Sequence, residues 1–212
     1  MARRVQGQTA YVPLTRLGHQ QALAAADRLA DSGAVLVLSS DLRRALDTAR
    51  PIADRLGVPL QSHGALREQS LGDFEGLPSD VVFAAVGAEV TLDPTWRPPG
   101  GESLADVHDR VRPFLRQAFQ TAPEGPLVIV THGDTARVLV AVLRGLALAA
   151  APVSVPANGE VLTLLAQPPC SHAAEPHAGA RRGAFGQVAL RGVAAGRYGG
   201  SVLRRDRLPG GR

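Results

Sequence analysis

The 212-residue sequence predicts an α/β domain, a three-layer sandwich with a mostly parallel central sheet, followed by a disordered C-terminal tail. Three observations carry this expectation. Val35-Leu36-Val37-Leu38 and Leu127-Val128-Ile129-Val130-Thr131 are continuous apolar runs of strand length, the pattern of strands buried on both faces. Helical patterns alternate with them, as in folds whose parallel strands are joined by crossover helices. From Pro168 onward this patterning dissolves into Gly, Ala, Arg and Pro. The domain is therefore expected over residues 1–167 and the tail over 168–212.

Element by element, Thr15 stands before Arg16-Leu17-Gly18-His19-Gln20-Gln21-Ala22 and an Ala/Leu-rich run, an N-capped helix ended by Ser32-Gly33. Ser39-Ser40-Asp41 offers caps for a second helix. Its apolar positions Leu42, Ala45, Leu46, Ala49, Ile52, Ala53 and Leu56 fall at helical spacing, and Gly57 closes it. Val58-Pro59-Leu60 begins a short edge strand. Residues 66–78, punctuated by Gly and carrying Glu68, Asp73 and Glu75, read as a loop, and 81–86 as a short helix. Pro98-Pro99-Gly100-Gly101-Glu102-Ser103 is a rigid turn feeding a helix that reaches Phe119. Residues 135–148 form a further helix. Val153-Ser154-Val155 and residues 161–165 are expected to close the domain as strands around a turn at Asn158-Gly159, and 187–193 to be weakly helical.

Composition narrows the function classes. Residues 1–167 hold 15 Arg against 17 acids, a net of −2, and residues 168–212 hold 8 Arg against 2 acids, a net of +6. The basic pI thus belongs to the tail, and a nucleic-acid role for the domain loses its motive. Lysine is absent, which removes the P-loop, kinase and Schiff-base chemistries; a bound phosphate would meet Arg, His and backbone N–H groups. Cys170 is the lone cysteine, so an internal disulfide is excluded, and Pro176 stands where a cysteine phosphatase needs its Arg. No Gly-x-Ser-x-Gly elbow and no histidines at metal-binding spacing are present. No stretch has the length of a membrane span, and the first residues lack the apolar region of a signal peptide; a cytoplasmic address without membrane contact is the expectation. Composition leaves the oligomeric state open.

Three stretches carry chemistry. In Val130-Thr131-His132-Gly133-Asp134-Thr135 a histidine ends a buried strand just before a helix, where α/β folds place ligands and a helix N-terminus favours an anion. Position alone leaves a capping histidine and a ligand-binding one equally open. Ser39-Ser40-Asp41-Leu42-Arg43-Arg44 repeats the geometry after the other strand; Arg44 alone reads as a surface cation, but beside His132 it reads as an anion ligand. Leu66-Arg67-Glu68-Gln69-Ser70 places a carboxylate on a loop, an ordinary solvated group unless burial raises its pKa and makes it a proton donor.

Together with Arg4-Val5-Gln6-Gly7-Gln8-Thr9, Leu17-Gly18, Gln21-Ala22 and Pro99-Gly100-Gly101-Glu102-Ser103, these stretches resemble the histidine phosphatase superfamily, the phosphoglycerate mutase-like enzymes, from Arg4 to about Leu165. The resemblance implies a phosphomonoesterase of small phosphorylated metabolites that works through a phosphohistidine, without metal or cofactor. It implies that Arg44 binds phosphoryl oxygens, that His132 stabilises their charge with Gly133 beside it, and that Glu68 moves the proton. Arg4, Gln6 and Gly7 would line the substrate side. The family's nucleophile stands in an Arg-His-Gly motif ending its first, central strand, and no such motif occurs here. The expectation is that the true start lies upstream of Met1; a decayed gene fragment, or a phospho-ligand-binding module without catalysis, are the alternatives. The tail fits either of the first two, since a frameshift also produces a Gly/Arg-rich end. Without that strand, residues 128–131 should present an unpaired apolar edge. The family's Asp after Gly-x-Thr is replaced by Ala10 followed by Tyr11.

Overall fold

Thr15 accepts the backbone N–H of Gly18 at 3.1 Å and starts helix α1 (Arg16–Leu29) where the capping rule puts it. The computed structural model describes residues 4–86, 93–151 and 157–164 of the chain. Strand β1 (Leu36–Ser39) follows, then helix α2 (Arg43–Leu56), closed by Gly57 in the left-handed conformation, and strand β2 (Leu60–Ser62). A 3₁₀ turn, Gly64–Leu66, leads into the expected loop, which contains a second, Gly72–Phe74, and the short helix is α3 (Ser79–Val86). Helix α4 (Leu104–Thr121) opens with a capping box: Ser103 Oγ accepts the Asp106 N–H, and the Asp106 carboxylate accepts the Ser103 N–H. Strand β3 (Leu127–Val130) and helix α5 (Gly133–Leu143) complete the regular elements.

The three strands are parallel in the order β2-β1-β3. Because strand side chains alternate, the sheet builds two cores. Leu36, Leu38, Leu127 and Ile129 face α4 and α5, packing with Val107, Val111, Leu115, Val138 and Leu139. Val37, Val128 and Val130 face α1 and α2, packing with Ala25, Leu29, Ala45, Ala49 and Ile52. The result is the predicted three-layer α/β sandwich. Every residue of β1 and β3 is buried, which explains why their sequences are continuous apolar runs.

Two expectations change. Helix α5 ends five residues early, at Leu143, because Gly145 (φ +62°) reverses the chain; the Leu146 N–H bonds Ala141 O and the Gly145 N–H bonds Val142 O. Residues 161–164 are not a strand. The turn at Asn158-Gly159 does form, with the Glu160 N–H on Ala157 O at 2.9 Å. Beyond it Val161 packs on the α1/α2 core, while Leu162 and Leu164 pack on the α4/α5 core. The alternation is real, but among the described residues nothing hydrogen-bonds the outer edge of β3, so 161–164 have burial without a ladder partner. Val153-Ser154-Val155, Leu165, Cys170 and the whole 168–212 segment, with its weak helix at 187–193, lie outside the described residues. Among the described residues no helix is long and apolar enough to cross a membrane.

Removing the α4 cap tests how firmly this framework is set. Ser103→Ala is expected to cost about 1 kcal/mol, at most about 2. A lower urea midpoint at unchanged slope would register it; an unchanged midpoint would show the box to be ornamental.

Candidate active site

Parallel register sets the site. Ser39 of β1 lies beside Val130 of β3, so the residues that leave both strands share one rim, and the Ser40 N–H bonds Val130 O at 2.9 Å. Two residues past Val130, His132 sits at the N-cap of α5, fully buried. Its side chain makes no capping bond, which removes the reading of a capping histidine. Nε2 lies 2.8 Å from Ser40 Oγ, and Nδ1 is buried with no hydrogen-bond partner among the described residues. Burial, then the charges of Arg44 and Arg110, hold its pKa well below the ordinary imidazole value, so the ring is neutral around neutral pH.

The helix N–H groups that His132 leaves are taken by Glu68. Its Oε1 accepts from the backbone N–H of Asp134 and of Thr135, both at 3.2 Å, and from Gln69 N–H at 3.0 Å. The carboxyl is buried. Desolvation, reinforced by the nearby charge of Asp134, outweighs those bonds and the attraction of Arg44, pushing its pKa up to about 7. A loop glutamate has thus become a group that holds or gives a proton near neutrality.

Its backbone is held just as tightly. Four consecutive carbonyls each accept a side-chain donor: Ala65 O from Arg110 (2.6 Å), Leu66 O from Thr131 (2.8 Å), Arg67 O from Thr135 (2.7 Å), and Glu68 O from both Arg110 (3.0 Å) and Gln8 (3.1 Å). Arg110 in turn is paired with Glu102, Nε to Oε1 at 3.0 Å.

Arg44, on the first turn of α2, is buried rather than a surface cation. Its Nη2 donates to Gly7 O at 2.7 Å and its Nη1 to Thr9 O at 3.1 Å. Its charge acts on both Glu68 and His132. Gly7 is buried with φ +45°, and a Cβ there would overlap the Glu75 carboxylate, which accepts the N–H of Gln8 and of Leu71. Glycine is thus required for the turn that presents its carbonyl to Arg44.

The structure brings Arg44, Glu68 and His132 together, with Gly133 as the buried first residue of α5 and Gly7 against Arg44. Gln6 sits one residue earlier, and among the described residues only its backbone O is engaged, accepting the Thr9 N–H. Arg4 is not brought in: it is exposed, bridges antiparallel to Pro78, and donates to Gly76 O at 2.6 Å. Sequence reasoning missed Ser40, Thr131, Thr135 and Arg110 as supports. For Arg110 a signal existed, since it lies three residues after Val107 and four before Phe114, at the buried stripe of α4, where a cation needs partners.

Glu68 also sets a pH dependence of stability. A carboxyl whose pKa rises from 4.5 to about 7 on folding favours the native state below about pH 4.5 and increasingly opposes it as pH climbs through 7. Glu68→Gln keeps an oxygen for the Asp134 and Thr135 N–H groups and removes the buried charge. Its melting temperature relative to the parent should therefore rise between about pH 5 and about pH 8, by an amount equivalent to roughly 1–3 kcal/mol. A pH-independent difference would sink the assignment of the raised pKa.

With this geometry in view, the comparisons with known proteins are consistent. The model of the histidine phosphatase superfamily (branch 1) matches residues 1–169. Glucosyl-3-phosphoglycerate phosphatase of Mycolicibacterium vanbaalenii is 43% identical over 153 residues, covering 68% of this chain and 68% of that one. The 2,3-bisphosphoglycerate-dependent phosphoglycerate mutase of Brucella melitensis is 37% identical over 146 residues, covering 63% and 70%. The solved structure of a mycobacterial glucosyl-3-phosphoglycerate phosphatase with VO3 superposes with a TM-score of 0.70 at 36% identity, covering 76% of this chain and 84% of that one. By its sequence, its sheet and its relatives, this chain belongs to the histidine phosphatase superfamily.

Proposed function

We propose that this chain carries the phosphate-binding and proton-transfer machinery of a phosphomonoesterase that acts on small phosphorylated metabolites through a phosphohistidine. The observation that supports this above others is the buried Glu68 carboxyl, balanced near neutrality between Asp134 and Arg44 and beside a neutral His132. In this reading Arg44 neutralises the phosphoryl oxygens, and His132, with Gly133 at the helix start, donates to them. An imidazole nitrogen attacks phosphorus and forms a P–N bond. As the P–O bond to the substrate breaks, Glu68 gives its proton to the leaving alcohol. Water then attacks phosphorus, gives its proton back to Glu68, and the P–N bond breaks. Gly7, with Gln6 before it, positions Arg44 from the substrate side, and Arg4, held away at Gly76, has no part in the reading. The charge compensation comes from Arg44, His132 and the helix, so the reading calls on no metal and no cofactor.

Likeness to phosphatases of glucosyl-3-phosphoglycerate supports a sugar-linked phosphorylated acid as the substrate class and hydrolysis as the reaction. The attacking imidazole is not among this chain's histidines in any Arg-His-Gly setting. That observation favours a second reading, a phospho-ligand-binding module without turnover.

Phosphate release from a phosphorylated sugar acid, by the chain itself and by the chain preceded by a strand segment ending in Arg-His-Gly, separates the two. Turnover by the extended form alone supports the phosphatase. Absence of turnover in both, with inorganic phosphate still raising the melting temperature, supports the binding module; no turnover and no protection would defeat both. In the active extended form, His132→Ala and Arg44→Ala should each lower kcat/KM by several kcal/mol of transition-state stabilisation, and near-normal turnover in either would remove its role.

A further inference from the structure

Ser40 and His132 form a pair that none of the chemistry above has used. Both are fully buried, and Ser40 Oγ lies 2.8 Å from His132 Nε2. Among the described residues, the only other hydrogen bond at Ser40 Oγ is one it accepts, from the Leu42 N–H at 3.2 Å. A serine hydroxyl has one proton to give and two lone pairs, and a neutral imidazole has one N–H and one lone pair. Two arrangements are open. If the ring carries its proton on Nε2, that N–H donates to Ser40, and the Ser40 proton is then buried without an acceptor while Nδ1 is left as a bare lone pair. If the ring carries its proton on Nδ1, the Ser40 O–H donates to Nε2, the Leu42 N–H donates to Ser40, and a single orphan remains, the Nδ1–H. The second arrangement satisfies every group but one. An orphan N–H beside the Arg44 cation is complete only when an anion's oxygen accepts it.

We propose that Ser40 is a positioning residue that fixes His132 as the Nδ1–H tautomer, so that a neutral imidazole presents a donor, not a lone pair, to a bound phosphoryl oxygen. The location supports it. Ser40 leaves β1 where His132 leaves β3, its own N–H is tied to Val130 O, and Ser39 Oγ donates to Ser40 O at 2.8 Å, so the hydroxyl is held under the ring by the sheet itself. This inference deepens the phosphatase reading and rests on it for the identity of the anion, but the tautomer can be measured with no ligand present.

The test uses the full chain labelled with ¹⁵N-histidine. Two-bond proton–nitrogen correlation spectra near neutral pH report which ring nitrogen is protonated, and His132→Asn identifies the His132 signals. The expected pattern is a protonated Nδ1 in the parent. Ser40→Ala should convert it to an Nε2–H or mixed pattern, and Ser40→Thr, which keeps a hydroxyl, should retain Nδ1–H. Tungstate binding followed by calorimetry should weaken about tenfold in Ser40→Ala and stay within about twofold in Ser40→Thr. An Nε2–H ring in the parent, or an unchanged pattern in Ser40→Ala, overturns the proposal. If the ring patterns come out as expected while tungstate fails to bind the parent, the positioning role stands and the phosphate reading falls. If Ser40→Ala does not fold, the parent and Ser40→Thr spectra still decide the question.

Discussion

Four successive backbone carbonyls, those of residues 65 to 68, are each gripped by a side chain from elsewhere, and the site depends on that grip. The loop that carries Glu68 has no ladder to define it; it is a 3₁₀ turn followed by extended chain. Its geometry is imposed by Arg110 from α4, by Thr131 and Thr135 on either side of His132, and by Gln8 from the N-terminal segment. Burying a carboxyl without such a frame costs free energy that the chain could avoid by letting the loop swing to water. Here the escape is closed, because swinging out would strand four carbonyls and at least three donors at once. The carboxyl responds in the one way left to it, by holding its proton more tightly.

The parallel pairing of β1 with β3 is what allows such distant pieces to meet. Both strands are buried throughout, and each sends alternate residues into two separate cores, so the register between them is fixed from both faces. A shift of one residue would exchange the two cores' side chains and would also separate Ser40 from His132. The apolar packing that stabilises the sheet therefore also sets the distance between an imidazole and a hydroxyl 92 positions apart in the chain.

Much of this was legible in the residues. Continuous apolar runs marked the two central strands, Thr15 and Ser103 marked helix starts, and the spacing from Leu42 to Leu56 marked α2. What escaped was whatever depends on a partner. Residues 161–164 have a strand's alternation, yet a strand is defined by a neighbour's hydrogen bonds, and composition cannot supply the neighbour. Arg44 was legible as an anion ligand once set beside His132, but not the burial of its guanidinium against the carbonyls of Gly7 and Thr9. Thr131 and Thr135 looked like ordinary strand-end and helix residues; their hydroxyls matter because a loop some 65 positions away presents carbonyls to them. Even the helix N-terminus behaved differently from a simple anion site, since the chain's own carboxyl takes up its N–H groups.

The charge state of the site is accordingly a small difference between large opposing effects. Desolvation and the Asp134 carboxylate drive Glu68 toward its neutral form; three N–H donors and the Arg44 cation drive it back. Asp134 is itself paired with Arg137 at 2.9 Å, which tempers what it does to Glu68. The same Arg44 that stabilises a Glu68 carboxylate disfavours an imidazolium at His132, so one cation favours proton loss at both neighbours and leaves one charged and the other neutral. A site built this way is not tuned by any single residue. Its balance follows from where the backbone holds each group, and that is why the supports that touch no reacting atom, Arg110 and the two threonines, bear on its chemistry as directly as the groups they position.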